Sequence, residues 1–161
     1  MRAAIIPVNT LEYRGAKKDL CGPVIKKAVE QAGFEVKFLK VLPEAKDVLS
    51  KIMSVLADES VADLIITAGS VGFTDSDCIS EATKDVIEKE LPGIPEAVRT
   101  QCMKISRKAM LTRGTAGIRK NTLIVNLPDS PKEVKEALDY IMPELLYASE
   151  ILSGKTNGDK E

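Results

Sequence analysis

The sequence predicts an α/β fold, a three-layer α/β/α sandwich with a mostly parallel central sheet. Three observations point to it. The chain has 161 residues, enough for one domain with a sizeable core. Short apolar runs of strand length recur at residues 2–8, 64–67 and 122–127. Segments with helical spacing separate them, and strands that alternate with helices favour parallel pairing.

Each element has a local reason. Residues 2–8 read as the first strand. Residues 16–32 place Leu20, Val24, Ile25, Ala28 and Val29 at helical spacing, and Gly33 is a good stop. Residues 34–41 alternate: Phe34, Val36 and Phe38 lie on one side, Glu35 and Lys37 on the other, which marks a half-buried strand. Pro43 opens a second helix whose apolar face is Val48, Leu49, Ile52, Met53, Val55 and Leu56. Leu64–Thr67 is a fully buried strand. Helices are expected over 80–90 and, after the break Pro92-Gly93-Ile94-Pro95, over 96–107. Residues 114–117 read as a turn and 122–127 as the last strand. Asp129-Ser130-Pro131 caps a final helix, with Pro131 in a tolerated first-turn place. Residues 1–153 form one domain, and 154–161 read as a polar C-terminal tail.

Composition removes several function classes. The formal net charge is −1, so no bulk field draws the chain to nucleic acid or to an anionic membrane. Aromatic content of 4% argues against base-stacking platforms and against an aromatic assembly surface. No apolar run reaches the length of a membrane span. The 3 cysteines, Cys21, Cys78 and Cys102, form no CxxC pair and no disulfide framework. They read as small packed hydrophobes in a reducing, cytoplasmic protein. The chain contains 0 histidines, which excludes His-based triads and His-ligated metals. Catalysis must rest on carboxylates, Lys and Arg, hydroxyls, backbone amides and hard cations.

The stretch Ala62–Thr83 is the most informative. The strand ends in a small-residue turn, Thr67-Ala68-Gly69-Ser70-Val71-Gly72. A hydroxyl- and acid-rich loop, Thr74-Asp75-Ser76-Asp77, leads to a helix start. Small residues let backbone N–H groups approach a phosphate, and the helix end adds partial positive charge. Asp77 beside the turn would repel phosphate unless a divalent cation stood between them. Each feature has a plainer reading too. Gly69–Gly72 could be an ordinary strand-to-helix turn, and Asp77 a helix cap. Glu44 and Glu81 could be first-turn acids that complement a helix dipole. Arg113 and Arg119 could be solvated surface or assembly contacts. In this fold class ligands sit beyond the carboxyl ends of the strands, where the loops 9–19, 69–77 and 128–131 gather.

The order of motifs resembles the molybdopterin adenylyltransferase family of molybdenum cofactor proteins (MogA/MoaB type), over roughly residues 4–153. The family's S-D-R, Gly and Asp after strand one correspond to Asn9-Thr10-Leu11, Gly15 and Asp19. Its T-x-G-G-T-G is Thr67-Ala68-Gly69-Ser70-Val71-Gly72, and its R-D-V-T-P-E-A-T is Ser76-Asp77-Cys78-Ile79-Ser80-Glu81-Ala82-Thr83. Its P-G-x-x-E-x-x-R is Pro92 to Arg99, its S-R-x-x-A-G-I-R is Thr112 to Arg119, and its T-L-I-x-N-L-P-G-S-P is Thr122 to Pro131 with Asp129 for glycine. The resemblance implies a trimer that binds molybdopterin and adenylylates its phosphate with Mg²⁺ and ATP, releasing pyrophosphate. It implies Asp77 and Glu44 as the catalytic, metal-holding pair, Glu44 standing where the family has Asp after strand two. It implies Thr67, Gly69, Ser70, Gly72, Glu81, Asp19, Pro128 and Ser130 as the binding residues. The departures are the missing S-D-R, Ser70 for glycine, Val71 for threonine, Ser76 for arginine and Ile79 for threonine. They favour an alternative, a non-catalytic pterin-binding or carrier protein on the same scaffold. The surviving acids favour the enzyme.

Overall fold

The computed structural model describes residues 1–154. The polar tail expected over 154–161 therefore lies, but for its first residue, outside the described residues. Six strands form one sheet: β1 (Arg2–Pro7), β2 (Glu35–Leu39), β3 (Leu64–Ala68), β4 (Lys89–Glu90), β5 (Ala116–Arg119) and β6 (Thr122–Leu127). Their order is β2-β1-β3-β6-β5-β4. The first four in that order are parallel, while β5 runs antiparallel to both β6 and β4.

Helices cover both faces, as parallel strands buried on two sides require. On one face Ile5, Leu64, Ile66, Leu123 and Val125 pack against α2 (Cys21–Gln31), α5 (Gly93–Met103) and α6 (Pro131–Leu152). On the other, Ala4, Ile6, Ile65 and Ile124 pack against α3 (Lys46–Asp58) and α4 (Ile79–Val86). Neighbouring residues of β3 and β6 thus feed opposite cores, which is why both strands are buried throughout.

Several boundaries depart from the sequence reading. The helix expected from residue 16 begins at Cys21, because Asp19 Oδ1 accepts from the N–H groups of Cys21 (3.1 Å) and Gly22 (2.9 Å). The segment before it holds a short helix, α1 (Thr10–Tyr13), started by Asn9 Oδ1, which accepts from Glu12 N–H at 3.0 Å. Pro43 does not open α3, which begins at Lys46. Glu44 therefore stands in a bend ahead of the helix, where its N–H donates to Thr10 Oγ1 at 3.1 Å.

The helix expected over 80–90 ends at Val86, and Lys89–Glu90 is an edge strand on β5. Gly117 permits that pairing: a Cβ there would lie 2.4 Å from the Lys89 carbonyl oxygen and 2.6 Å from Ile87 Cδ1. The turn expected over 114–117 accordingly contains the start of β5. Pro92-Gly93-Ile94-Pro95 does not precede α5 as a break; α5 starts at Gly93, and Arg107–Leu111 is a separate 3₁₀ turn. Aromatic surface is present after all, since Tyr13, Phe73, Tyr140 and Tyr147 are all more than half exposed.

Candidate active site

The loops after β1, β3 and β6 meet at the carboxyl end of the parallel strands. Gly69 makes the crossing possible. Its φ is +102°, and a Cβ would stand 2.5 Å from the Val8 carbonyl oxygen. Its N–H donates to the Leu127 carbonyl at 2.9 Å, which ties the ends of β3 and β6 together.

A cleft of ≈ 350 Å³ opens beside this crossing. One wall is Ser70, Val71, Gly72 and Asp77; a second is Ser106, Lys108 and Thr112; the third is Pro128, Asp129, Ser130 and Glu133. Five of the residues that the sequence pointed to, Ser70, Gly72, Asp77, Pro128 and Ser130, are thereby brought together.

The first wall is closed by its own hydrogen bonds. Asp77 Oδ2 accepts from Thr74 N–H at 2.9 Å and Thr74 Oγ1 at 2.7 Å. Burial pushes this carboxyl up, but the Thr74 hydroxyl, the Thr74 and Gly72 amides and nearby Arg113 outweigh it and hold it below its usual range. A Cβ at Gly72 would lie 2.4 Å from Asp77 Oδ2, so a side chain there would displace the acid. Asp77 is therefore a loop-closing acid and not the cap of α4. The N-cap is Cys78, and the start of α4 is held by Ser70: its Oγ accepts from Cys78 N–H at 2.9 Å and its carbonyl from Ile79 N–H at 3.3 Å. Ser70 does this from the left-handed region, at φ +59°.

Arg113 is no free surface cation. Its Nε donates to the Gly72 carbonyl at 2.8 Å, Nη2 to the Asp77 carbonyl at 3.5 Å, and the guanidinium pairs with Glu81. That bond from Arg113, working against burial, holds the Glu81 carboxyl low. Glu81 thus faces Arg113 and is not among the residues lining the cleft. Arg119 instead pairs with Asp58 and donates to the Val86 carbonyl, a bond between sheet and helix.

Thr67 is fully buried, and its hydroxyl accepts from Asn126 Nδ2 at 3.0 Å, so it supports the turn from beneath and does not face the cleft. Asn126 was visible only as the one polar residue in the run LIVNL. It also donates to Thr83 Oγ1 at 3.0 Å and accepts from Thr115 N–H at 3.0 Å. One buried amide so joins β3, α4 and the start of β5. Asp19 caps α2 and sits, with Asp129 and Glu12, around Cys21. Burial first, then those three acids, push the Cys21 thiol up to about 12. Ser130 caps α6, its Oγ accepting from Glu133 N–H at 3.4 Å. Burial and then Asp129 hold Glu133 above its usual range. Glu44 lies off the cleft wall, near enough to Cys78 for its charge, with those of Glu81 and Asp77, to push that thiol upward beside burial.

Residues 4–147 match the model of a family described as "Probable molybdopterin binding domain". The chain belongs to that family. A molybdopterin adenylyltransferase of Helicobacter pylori (strain J99) is 33% identical over 152 residues, covering 93% of this chain and 86% of that protein. Its counterpart in Escherichia coli K12 is 28% identical over 142 residues, covering 86% of this chain and 72% of that protein. Among solved structures, the molybdopterin biosynthesis enzyme MoaB of Thermus thermophilus superposes with a TM-score of 0.87 at 34% identity, covering 95% of this chain and 96% of that one. The molybdopterin-binding fold is therefore the one that builds this cleft, and the family's turn, acidic loop and last helix start supply two of its walls. The second wall, of Ser106, Lys108 and Thr112, held no candidate site residue; Thr112 stood out in the sequence only as the first residue of the motif Thr112 to Arg119.

Proposed function

We propose that the chain is a molybdopterin adenylyltransferase of molybdenum cofactor biosynthesis, using ATP and Mg²⁺. An oxygen of the molybdopterin phosphate attacks the α-phosphorus of ATP. The bond from that phosphorus to the β-phosphate bridge breaks, and pyrophosphate leaves. The attacking oxygen carries no proton at neutral pH, so no histidine is needed, and the protein's task is positioning and charge neutralisation.

The observation that carries this reading is Asp77, held charged on the cleft wall by Gly72 and Thr74. Relatives named for the same activity align over most of the chain. The donors available suit Mg²⁺. No group of three or more acids, cysteines or histidines able to hold a metal exists among the described residues. Mg²⁺ characteristically takes one or two carboxylates and completes its shell with water and substrate phosphates. Asp77, on the cleft wall, is the carboxylate that would hold it, where it would neutralise charge between the acid and the phosphates; Glu44, off that wall, is a second ligand on the family resemblance alone. Gly69 spends its amide on Leu127, and the Gly72 amide helps to hold the Asp77 carboxyl low. Ser70 and Val71 are the positions whose amides the turn can offer a phosphate. Pro128 and Ser130 form the facing wall for the pterin side of the substrate. Glu81 acts through Arg113, Asp19 through α2, and Thr67 through Asn126.

We further propose a homotrimer, on the family resemblance, in the cytoplasm. Among the described residues no helix is long and apolar enough to cross a membrane. The test is pyrophosphate release from Mg·ATP with molybdopterin present. Molybdopterin binding without pyrophosphate release would overturn the enzyme reading in favour of a carrier. Light scattering that gives a monomer mass would overturn the trimer.

A further inference from the structure

We infer that Lys108 binds a phosphate group of the anionic substrate, which rests on the function proposed above. The charge around the cleft leads to it. Asp77, Asp129 and Glu133 all line the space, and Lys108 is the one basic residue among the described residues that does. Both proposed substrates, ATP and a pterin phosphate, are anions, and an acid-lined cleft repels them unless cations compensate.

The cation bonded to the wall of Asp77 is committed. Arg113 spends its guanidinium on Glu81 and on the carbonyls of Gly72 and Asp77. Lys108 is not committed. It is exposed, and no ion pair among the described residues involves its ammonium group. Its backbone is nonetheless fixed: Ser106 Oγ accepts from Lys108 N–H at 3.3 Å and starts the 3₁₀ turn. The neighbouring Ala109 is buried in the core, so the turn is anchored and presents the lysine to the cleft that Asp77 also lines.

Lysine serves phosphate as a compact point charge and needs no bidentate geometry. The position also answers a departure in the sequence. Ser76 stands where the resembling motif has arginine before Asp77, so the acidic loop brings no cation of its own. Lys108 supplies one from another wall of the same cleft, in a separate segment of the chain.

The experiment compares wild type, Lys108→Gln and Lys108→Arg. It follows steady-state pyrophosphate release with each substrate varied in turn, and calorimetry with Mg·ATP and with inorganic pyrophosphate as probes. Loss of one charge-assisted contact should raise KM for the substrate touched by roughly tenfold in Lys108→Gln. Lys108→Arg should recover most of it, and higher salt should narrow the gap. Melting temperatures should stay unchanged, which a structural lysine would not predict. A rise confined to the pterin places Lys108 at its phosphate; a rise confined to Mg·ATP, with weaker pyrophosphate binding, places it at the triphosphate. Unchanged KM values and binding in Lys108→Gln, with the wild type active, overturn this inference and leave the proposed function standing. A wild type with no pyrophosphate release fails the proposed function instead, and calorimetry on the three proteins then decides about Lys108 alone.

Discussion

Two walls of one cleft differ in how their polar groups are spent. On the wall after β3, Asp77 is closed by Gly72 and Thr74, Ser70 by Cys78, and Arg113 by Glu81. On the wall from Ser106 to Thr112, the ammonium of Lys108 takes part in no ion pair among the described residues. The first wall is ordered before any ligand arrives, so its acid costs little to position. The second offers a charge on a long side chain that no ion pair holds in place, carried by an anchored turn. Preorganisation and free charge are complementary: one places a cation site, the other can follow a flexible phosphate.

The comparison breaks most completely from below. Asn126 holds the ordered wall through Thr67, Thr83 and the Thr115 amide. Asn126→Leu leaves three buried groups without their partner, and should destabilise the fold by about 3 kcal/mol. Chemical denaturation measures it. A loss below about 0.5 kcal/mol would mean that the amide merely fills space. Adding Thr67→Ala to Asn126→Leu should recover part of the loss, because one orphaned hydroxyl is removed with it.

That network also shows what the sequence could and could not disclose. β1, β3 and β6 were legible because strands buried on both faces are continuous apolar runs. β4 and β5 were not, since Lys89–Glu90 and Ala116–Arg119 are short and carry no pattern. Their pairing depends on the bare backbone of Gly117, a contact that only three dimensions reveal. Glu44 was misplaced into a helix because Pro43 is a good helix opener, while the Thr10 hydroxyl that takes its N–H lies 34 residues away. Ser70, Gly72, Asp77, Pro128 and Ser130 were legible as a group because strand ends gather in this fold class. Lys108 was not, because nothing local distinguishes a lysine beside a cleft from one in solvent.

A second break removes the charge from the ordered wall. Asp77→Asn keeps the shape of the side chain but sets an amide where Thr74 needs an acceptor and a cation needs charge. Mg²⁺ demand for half-maximal pyrophosphate release should rise at least about tenfold. Stability should respond to pH with a definite sign. Asp77 is held below its usual range, so its contribution is complete above the ordinary carboxylate pKa and fades as pH falls through the lowered folded value. Melting curves of wild type should drop more steeply than those of Asp77→Asn below about pH 4. Parallel curves, with unchanged Mg²⁺ demand, would reduce Asp77 to an ordinary surface acid.

Gly72→Ala is a gentler break. The added methyl meets the carboxylate of Asp77, the far end of a short side chain, so the acid can swing away at the expense of its Thr74 bonds. Stability should fall by about 1 kcal/mol. Turnover should fall less than in Asp77→Asn, because the charge remains near the cleft. Turnover equal to wild type would show that the exact placement of the acid is immaterial.

Ser70 gives the smallest effect and the finest distinction. Its φ of +59° is strained for a residue with a side chain, and glycine would relieve about 1 kcal/mol of that. The same change deletes the hydroxyl that accepts from Cys78 N–H, worth about 1 kcal/mol in the other direction. The two nearly cancel, so Ser70→Gly should leave the melting temperature within a few degrees, roughly. Ser70→Ala keeps the strain and loses the hydroxyl that holds Cys78 N–H, and should cost about 1 kcal/mol. Affinity separates the roles further. The Ser70 hydroxyl is already engaged with Cys78, so it is poorly placed to serve a ligand as well, while its Cβ narrows the approach to the turn's amides. Ser70→Gly should therefore tighten Mg·ATP binding by roughly two- to threefold, read by calorimetry. Weaker binding would mean that the hydroxyl leaves Cys78 to meet the ligand. The ordered wall would then be ordered only until substrate arrives, and the contrast between the two walls would become a property of the empty cleft.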